Sequence, residues 1–225
     1  MATKLLFKIS TKARPIIFFK NLDMLLSNLS NKIDYLVSVS IDLDDNTMCN
    51  MQTINKLNKY AKNYNLNFFI GKSINKVDAL NRDISKVDFK WDAIIPITDY
   101  MEFCVNGFDD EIRKIETLGY GKLKNNLLSI ESINNNGKIK KQLYIMGRHL
   151  YKSRGYLYNP KFISVLYKEE LEKLKSQINF NSLVKNVFNY RHSDWFYYKT
   201  DLVTSSKMEN WKKDLQTLEL LTNEN

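Results

Sequence analysis

A chain of 225 residues that is 44% hydrophobic and 12% aromatic is long enough to bury one substantial core and too apolar to be disordered. No apolar run in it approaches the roughly 20 residues needed to cross a bilayer. Its formal charge of +9 allows a polyanionic partner, but 28 lysines against only 6 arginines, with 26 asparagines, form no basic stripe broken by stacking aromatics.

The first half alternates strand-like and helical runs. "KLLFKIS" (4 to 10) reads as a strand, and Ile16, Phe19, Leu22, Leu26 and Leu29 then recur at helical spacing behind Pro15, which suits a first helical turn. "YLVSVSI" (35 to 41) is a second strand, and Met51, Ile54, Leu57 and Tyr60 mark a second helix. "NFFIG" (67 to 71), a helix carrying Val77, Leu80, Ile84 and Val87, and "DAIIPIT" (92 to 98) complete the alternation. This order predicts an α/β fold: a mostly parallel sheet covered by helices, with ligands bound beyond the carboxyl ends of its strands.

The second half is less regular. The Asn-Gly step in "INNNGK" predicts a β-hairpin over 125 to 146. A charged helix near 168 to 177, a strand over 183 to 190, an aromatic loop "RHSDWFYY" and a last helix over 206 to 221 follow. A single domain is expected, with residues 1–120 forming one half and 121–225 the other. The opening "MATKLLFKIS" has too short an apolar stretch for a signal peptide, and Cys49 and Cys104 lack metal-ligand spacing, so a reducing, cytoplasmic setting is expected.

No GxGxxG, P-loop, G-x-S-x-G or HExxH motif is present, which removes the common dinucleotide, NTPase, hydrolase and zinc-protease readings. What remains is acidity at strand ends. Asp42, Asp44 and Asp45 follow one strand and Asp99 another, so these carboxylates should converge on the ligand crevice. Acids placed there hold ribose hydroxyls or a divalent cation such as Mn²⁺ or Mg²⁺.

In order, "FKISTKARP", "VSVSIDLDDNTM", "GKSINKVDALNRDI", "WDAIIPITDYMEF" and "GFDDEI" resemble the GT-A fold glycosyltransferases of the family 2 type, in the short versions found in bacteriophages. "GYLYNPKFISVLYKEEL" and "FNYRHSDW" extend the resemblance over most of residues 4 to 195. It implies a nucleotide-sugar donor, a UDP-sugar, with Ser10, Thr11 and Arg14 along the base and phosphate edge and Asp42 and Asp44 at the uracil or ribose. Asp45 would cap a loop. Lys76 and Asn81 would flank the sugar nucleotide, Asp99 would be the first acid of the metal-binding signature, and His192 would contact the acceptor, the diphosphate or a metal.

Two positions depart from the family pattern. The metal signature reads "TDYM", which puts Tyr100 where a second acid belongs, and the late acidic motif reads Lys168-Glu169-Glu170. Glu170 matches the retained acid, and Glu169 is the alternative base. Lys168, Arg148, Arg154 or His192 could supply fixed positive charge in place of a metal. The acceptor would be a surface glycan or a hydroxymethylated base in phage DNA. Two rivals stand beside the enzyme: a non-catalytic descendant that binds nucleotide sugar or nucleic acid, and a structural virion protein.

Overall fold

Four parallel strands are laid down first, and they set where ligands can approach. The computed structural model describes residues 3–30, 33–99, 101–116, 122–133, 139–163, 170–171, 173, 180–184, 188–190 and 205–223. Strands β1 (Leu5–Thr11), β2 (Tyr35–Asp42), β3 (Leu66–Gly71) and β4 (Ala93–Thr98) alternate with helices α1 (Pro15–Asn28), α2 (Met51–Asn63) and α3 (Lys76–Asn81). β2 pairs with β1 and β3, and β1 with β4, all in parallel.

Beyond β4 the sheet changes direction. The hairpin forms as the Asn-Gly signal indicates, between β6 (Leu127–Ile133) and β7 (Ile139–Gly147), and β7 joins β4 antiparallel through Ala93–Gly147 and Ile94–Met146. β8 (Phe180–Val184) adds in parallel to β6, so one sheet of order β3-β2-β1-β4-β7-β6-β8 runs through both halves of the chain. β5 (Met101–Phe103) and β9 (Phe188–Tyr190) make a separate two-stranded ribbon. The strand expected over 183 to 190 is thus divided between two sheets.

Alternation along β1 sorts the core into two layers. Leu5, Phe7 and Ile9 face α1, α2 and α4 (Phe108–Arg113), while Leu6 faces Val77, Leu80, Ile94, Tyr158 and Phe162. Ile16 and Met51, placed in apolar stripes by their spacing, are 86% and 72% exposed, because the first turns of α1 and α2 lie at the sheet's carboxyl edge, past the core. The third helix ends at Asn81, short of the expected Val87: Asp83 takes a left-handed φ of 67°, and a separate 3-10 turn covers Ile84–Lys86.

α5 (Arg148–Arg154) and α6 (Ser205–Asn223) complete the described elements, α6 close to its expected span. α6 is docked by Asp214, fully buried, which accepts the backbone N–H of Ile163 at 2.8 Å. Gly147 marks a close approach. A Cβ there would lie 2.3 Å from the Leu123 carbonyl oxygen, while its own N–H donates to Asn126 and that of Arg148 to Asp92, each at 2.8 Å. Among the described residues no helix is long and apolar enough to cross a membrane. The expected helix near 168 to 177 lies largely outside the described residues.

Candidate functional site

In the order β3-β2-β1-β4, the sequence in which parallel strands are added switches sides between β1 and β4, which opens a crevice at the carboxyl ends of those two strands. Arg14 and Asp99 meet there. Arg14 stands just before α1 and donates from Nη2 to Asp99 Oδ1 at 2.8 Å, while the Thr11 hydroxyl donates to Asp99 Oδ2 at 3.3 Å. Asn21 of α1 donates to the Asp99 backbone carbonyl at 2.7 Å. The acid is therefore fixed through both side-chain oxygens and its main chain, and it is only 3% exposed.

Asp42, one strand away on the other side of β1, is also countered by cations. Lys12 Nζ lies 3.5 Å and Arg82 Nη1 3.7 Å from its carboxylate, and Ser73 donates a hydroxyl bond to it. Asp44 is exposed. Asp45 is buried and caps two turns at once: it accepts the backbone N–H of Ala13 at 2.6 Å and both the N–H and the hydroxyl of Thr47, at 3.0 and 2.6 Å. Burial alone would raise its pKa, but the bonds from Thr47, Ala13 and Met48 outweigh that and hold it below the usual carboxylate range. Ser10 sits half-buried between Ser40 and Thr98 in register.

The floor of this edge is a polar cluster that motif reading missed. Lys8, in the middle of β1 and fully buried, donates to the Ser40 hydroxyl, which donates to Asp83 at 2.7 Å. Arg82 Nε and Lys86 Nζ donate to the same Asp83 carboxylate at 3.0 and 2.8 Å, and Arg82 Nη2 reaches the Ile41 carbonyl at 2.6 Å. Burial pulls the Lys8 ammonium down to about 7, opposed by the Asp83 charge and reinforced by Arg82 and Lys86. Burial works to raise Asp83, yet hydrogen bonds from Lys86 and Ser40 with the charges of Arg82 and Lys8 keep it below its ordinary value. The available signal was alternation: Lys8, Ser38 and Ser40 share one face of strands whose other face is uniformly apolar.

Other candidates lie elsewhere. Lys76 is half-buried in the first turn of α3. Asn81 is committed to the backbone of a neighbouring segment: its Oδ1 accepts from Leu157 and Tyr158 at 2.9 and 3.0 Å, and its Nδ2 donates to the Tyr158 carbonyl at 2.6 Å. Glu170 is 9% exposed and pairs with Arg154 at 2.9 Å, and Arg154 also lies over the Tyr156 ring. Arg148 was one expected source of fixed charge; it follows the strand end that pairs with Ala93 and stacks near Trp91, at the amino edge of β4 and so the opposite end from the crevice. Tyr100, Lys168, Glu169 and His192 lie outside the described residues.

A cavity of about 10 Å³, lined by Asn21, Thr98, Asp99, Met101 and Phe103 among others, has room for one water at most. Among the described residues no group of three His, Cys, Asp or Glu side chains could hold a metal ion.

No model of a known protein family matches the chain, and no curated protein matches it in sequence. Solved structures match in shape. S. aureus TarS 1-349 in complex with UDP-GlcNAc superposes with a TM-score of 0.62 at 15% identity, covering 84% of this chain and 58% of that one. The mannosyltransferase PcManGT from Pyrobaculum calidifontis, in complex with GDP-Man and Mn²⁺, gives 0.59 at 9% identity over 87% and 60%. The fold is GT-A. The chain spans about three fifths of the length of those two GT-A neighbours. A 4-diphosphocytidyl-2C-methyl-D-erythritolsynthase from Anaerococcus prevotii shares the architecture at 0.52 and 9% identity, over 90% of this chain and 97% of that one.

Proposed function

We propose that the protein is a glycosyltransferase whose donor, a UDP-sugar, lies across the carboxyl edge of β1, β2 and β4. The observation that carries this reading is the Arg14–Asp99 pair at the point where the strand order switches sides, with Lys12, Asp42 and Arg82 one strand away. Cations beside buried acids suit a ligand with a diphosphate and a ribose: the former takes the guanidinium and ammonium groups, the latter a carboxylate. The GT-A likeness to proteins solved with UDP-GlcNAc and GDP-Man supports the same class of donor.

In this reading Ser10, Thr11 and Arg14 line the phosphate edge, Asp42 and Asp44 take the nucleoside, and Lys76 flanks the diphosphate. Asn81 acts through the Leu157–Tyr158 segment that it holds. Glu170 is the base for the acceptor hydroxyl: Arg154 fixes Oε1, and Oε2 has no hydrogen-bond partner among the described residues. The acceptor is a glycan or a hydroxymethylated base in DNA, and the site lies in the cytoplasm of the cell in which the protein is made.

Calorimetric titration with UDP- and GDP-sugars tests the donor. Binding by the wild type and its loss in folded Asp42→Ala is the expected result, and unchanged affinity in that variant sinks the assignment. Release of UDP on adding acceptor distinguishes the enzyme from a binding protein that has lost turnover. The second reading draws on one observation, the pairing of Glu170 with Arg154, which ties up half of the base.

A further inference from the structure

GT-A neighbours include a complex that contains Mn²⁺, and the acid that would meet such an ion in this chain is Asp99. Its surroundings do not fit one. Asp99 Oδ1 is taken by the Arg14 guanidinium and Oδ2 by the Thr11 hydroxyl, and the carboxylate is closed off from solvent. An arginine cannot shed its charge in a protein, so a divalent ion on this carboxylate would face a permanent like charge a few ångströms away. The neighbouring acids offer no alternative. Asp42 is paired with Lys12 and Arg82, Asp45 is spent on backbone N–H groups and Thr47, and position 100 is a tyrosine. Hard divalent cations need several oxygen ligands, and exposed Asp44 by itself supplies too few.

We propose that Arg14 is the resident cation of the donor site, and that it binds the diphosphate of a nucleotide without a divalent metal. The Arg14 side chain is 35% exposed, enough to present the guanidinium to a ligand while Asp99 anchors its inner side. Such an ion pair aims a planar, bidentate donor at phosphate oxygens, the task a metal performs elsewhere. A leaving nucleoside diphosphate would take its compensating charge from Arg14, with Lys12 beside it. The inference rests on the donor reading given above, and the two fail differently.

The experiment is a titration of UDP and UDP-GlcNAc into wild type, Arg14→Lys and Arg14→Ala, each in EDTA and in Mn²⁺, with bound Mn²⁺ followed by electron paramagnetic resonance and folding by circular dichroism. Wild-type affinity should agree in EDTA and Mn²⁺ within about twofold, with no bound Mn²⁺ signal. Arg14→Ala should bind about tenfold or more weakly in EDTA and in Mn²⁺ alike, the effect of losing a charge-assisted bond at a site with too few oxygen ligands to hold an ion in its place. Arg14→Lys keeps the charge without the fork, and should fall between the two while remaining indifferent to Mn²⁺. Wild-type binding that needs Mn²⁺, with the ion detected on the protein, overturns the inference and leaves the donor reading standing. If no nucleotide binds the folded wild type under either condition, both fall.

Discussion

The Asp45 carboxylate accepts the backbone N–H of Ala13, a non-glycine residue held at a left-handed φ of 61°. One acid of the β2–α2 loop thereby fixes the β1–α1 loop, which carries Lys12 and Arg14. The left-handed region costs a residue with a Cβ about 1 kcal/mol or more, and Asp45 offsets it. Asp45→Ala should lower stability by about 2 kcal/mol in urea unfolding, because three donors lose a buried acceptor. Ala13→Gly should raise it by about 0.5 kcal/mol, relief of strain exceeding the added freedom of the unfolded chain. A neutral result for Asp45→Ala would show that the loop holds its shape without the acid.

Lys8 makes stability depend on pH in the alkaline direction. Its folded value, about 7, lies below the unfolded 10.5, so between those limits the unfolded chain binds more protons and stability rises with pH. The gain is complete near the unfolded value and absent below the folded one, at most about 5 kcal/mol in size. Lys8→Met should flatten the unfolding free energy between pH 7 and 10 when followed by chemical denaturation. An equal slope in wild type and variant would mean that the ammonium stays charged in the sheet.

Asn81 ties α3 to the segment beyond α5 through three hydrogen bonds. Asn81→Ala leaves two buried N–H groups and a carbonyl without partners and should cost about 3 kcal/mol, read as a lowered unfolding midpoint. Asn81→Asp keeps the acceptor for Leu157 and Tyr158 and should recover part of that loss. Equal damage from both changes would place the value of Asn81 in its amide donor instead.

The four parallel strands and the hairpin were legible because each rests on local pattern: apolar runs of strand length, helical spacing between them, and an Asn-Gly turn. What pattern could not show was pairing over distance. β5 and β9 are three residues each and meet from opposite parts of the chain, and β8 joins β6 in parallel, neither of which leaves a periodic trace. The early end of α3 was hidden because Asp83, unlike glycine or proline, does not advertise a stop. At the site, Asp42 and Asp99 could be placed at strand ends from order alone, and Asp45 as a cap through the family resemblance. Their pairing with particular cations could not. Arg14 and Arg82 reach those acids only once β1, β2 and β4 are side by side, and nothing in the sequence singles out Lys8, because a buried lysine needs partners contributed by two other segments.

Gly147 has a mechanical consequence. With the Leu123 carbonyl pressed against its Cα and hydrogen bonds to Asn126 and Asp92 on either side, the junction between β7 and α5 is a weld, not a joint. The β-hairpin is thereby riveted to β4, and through it to the strand ends that carry Arg14 and Asp99.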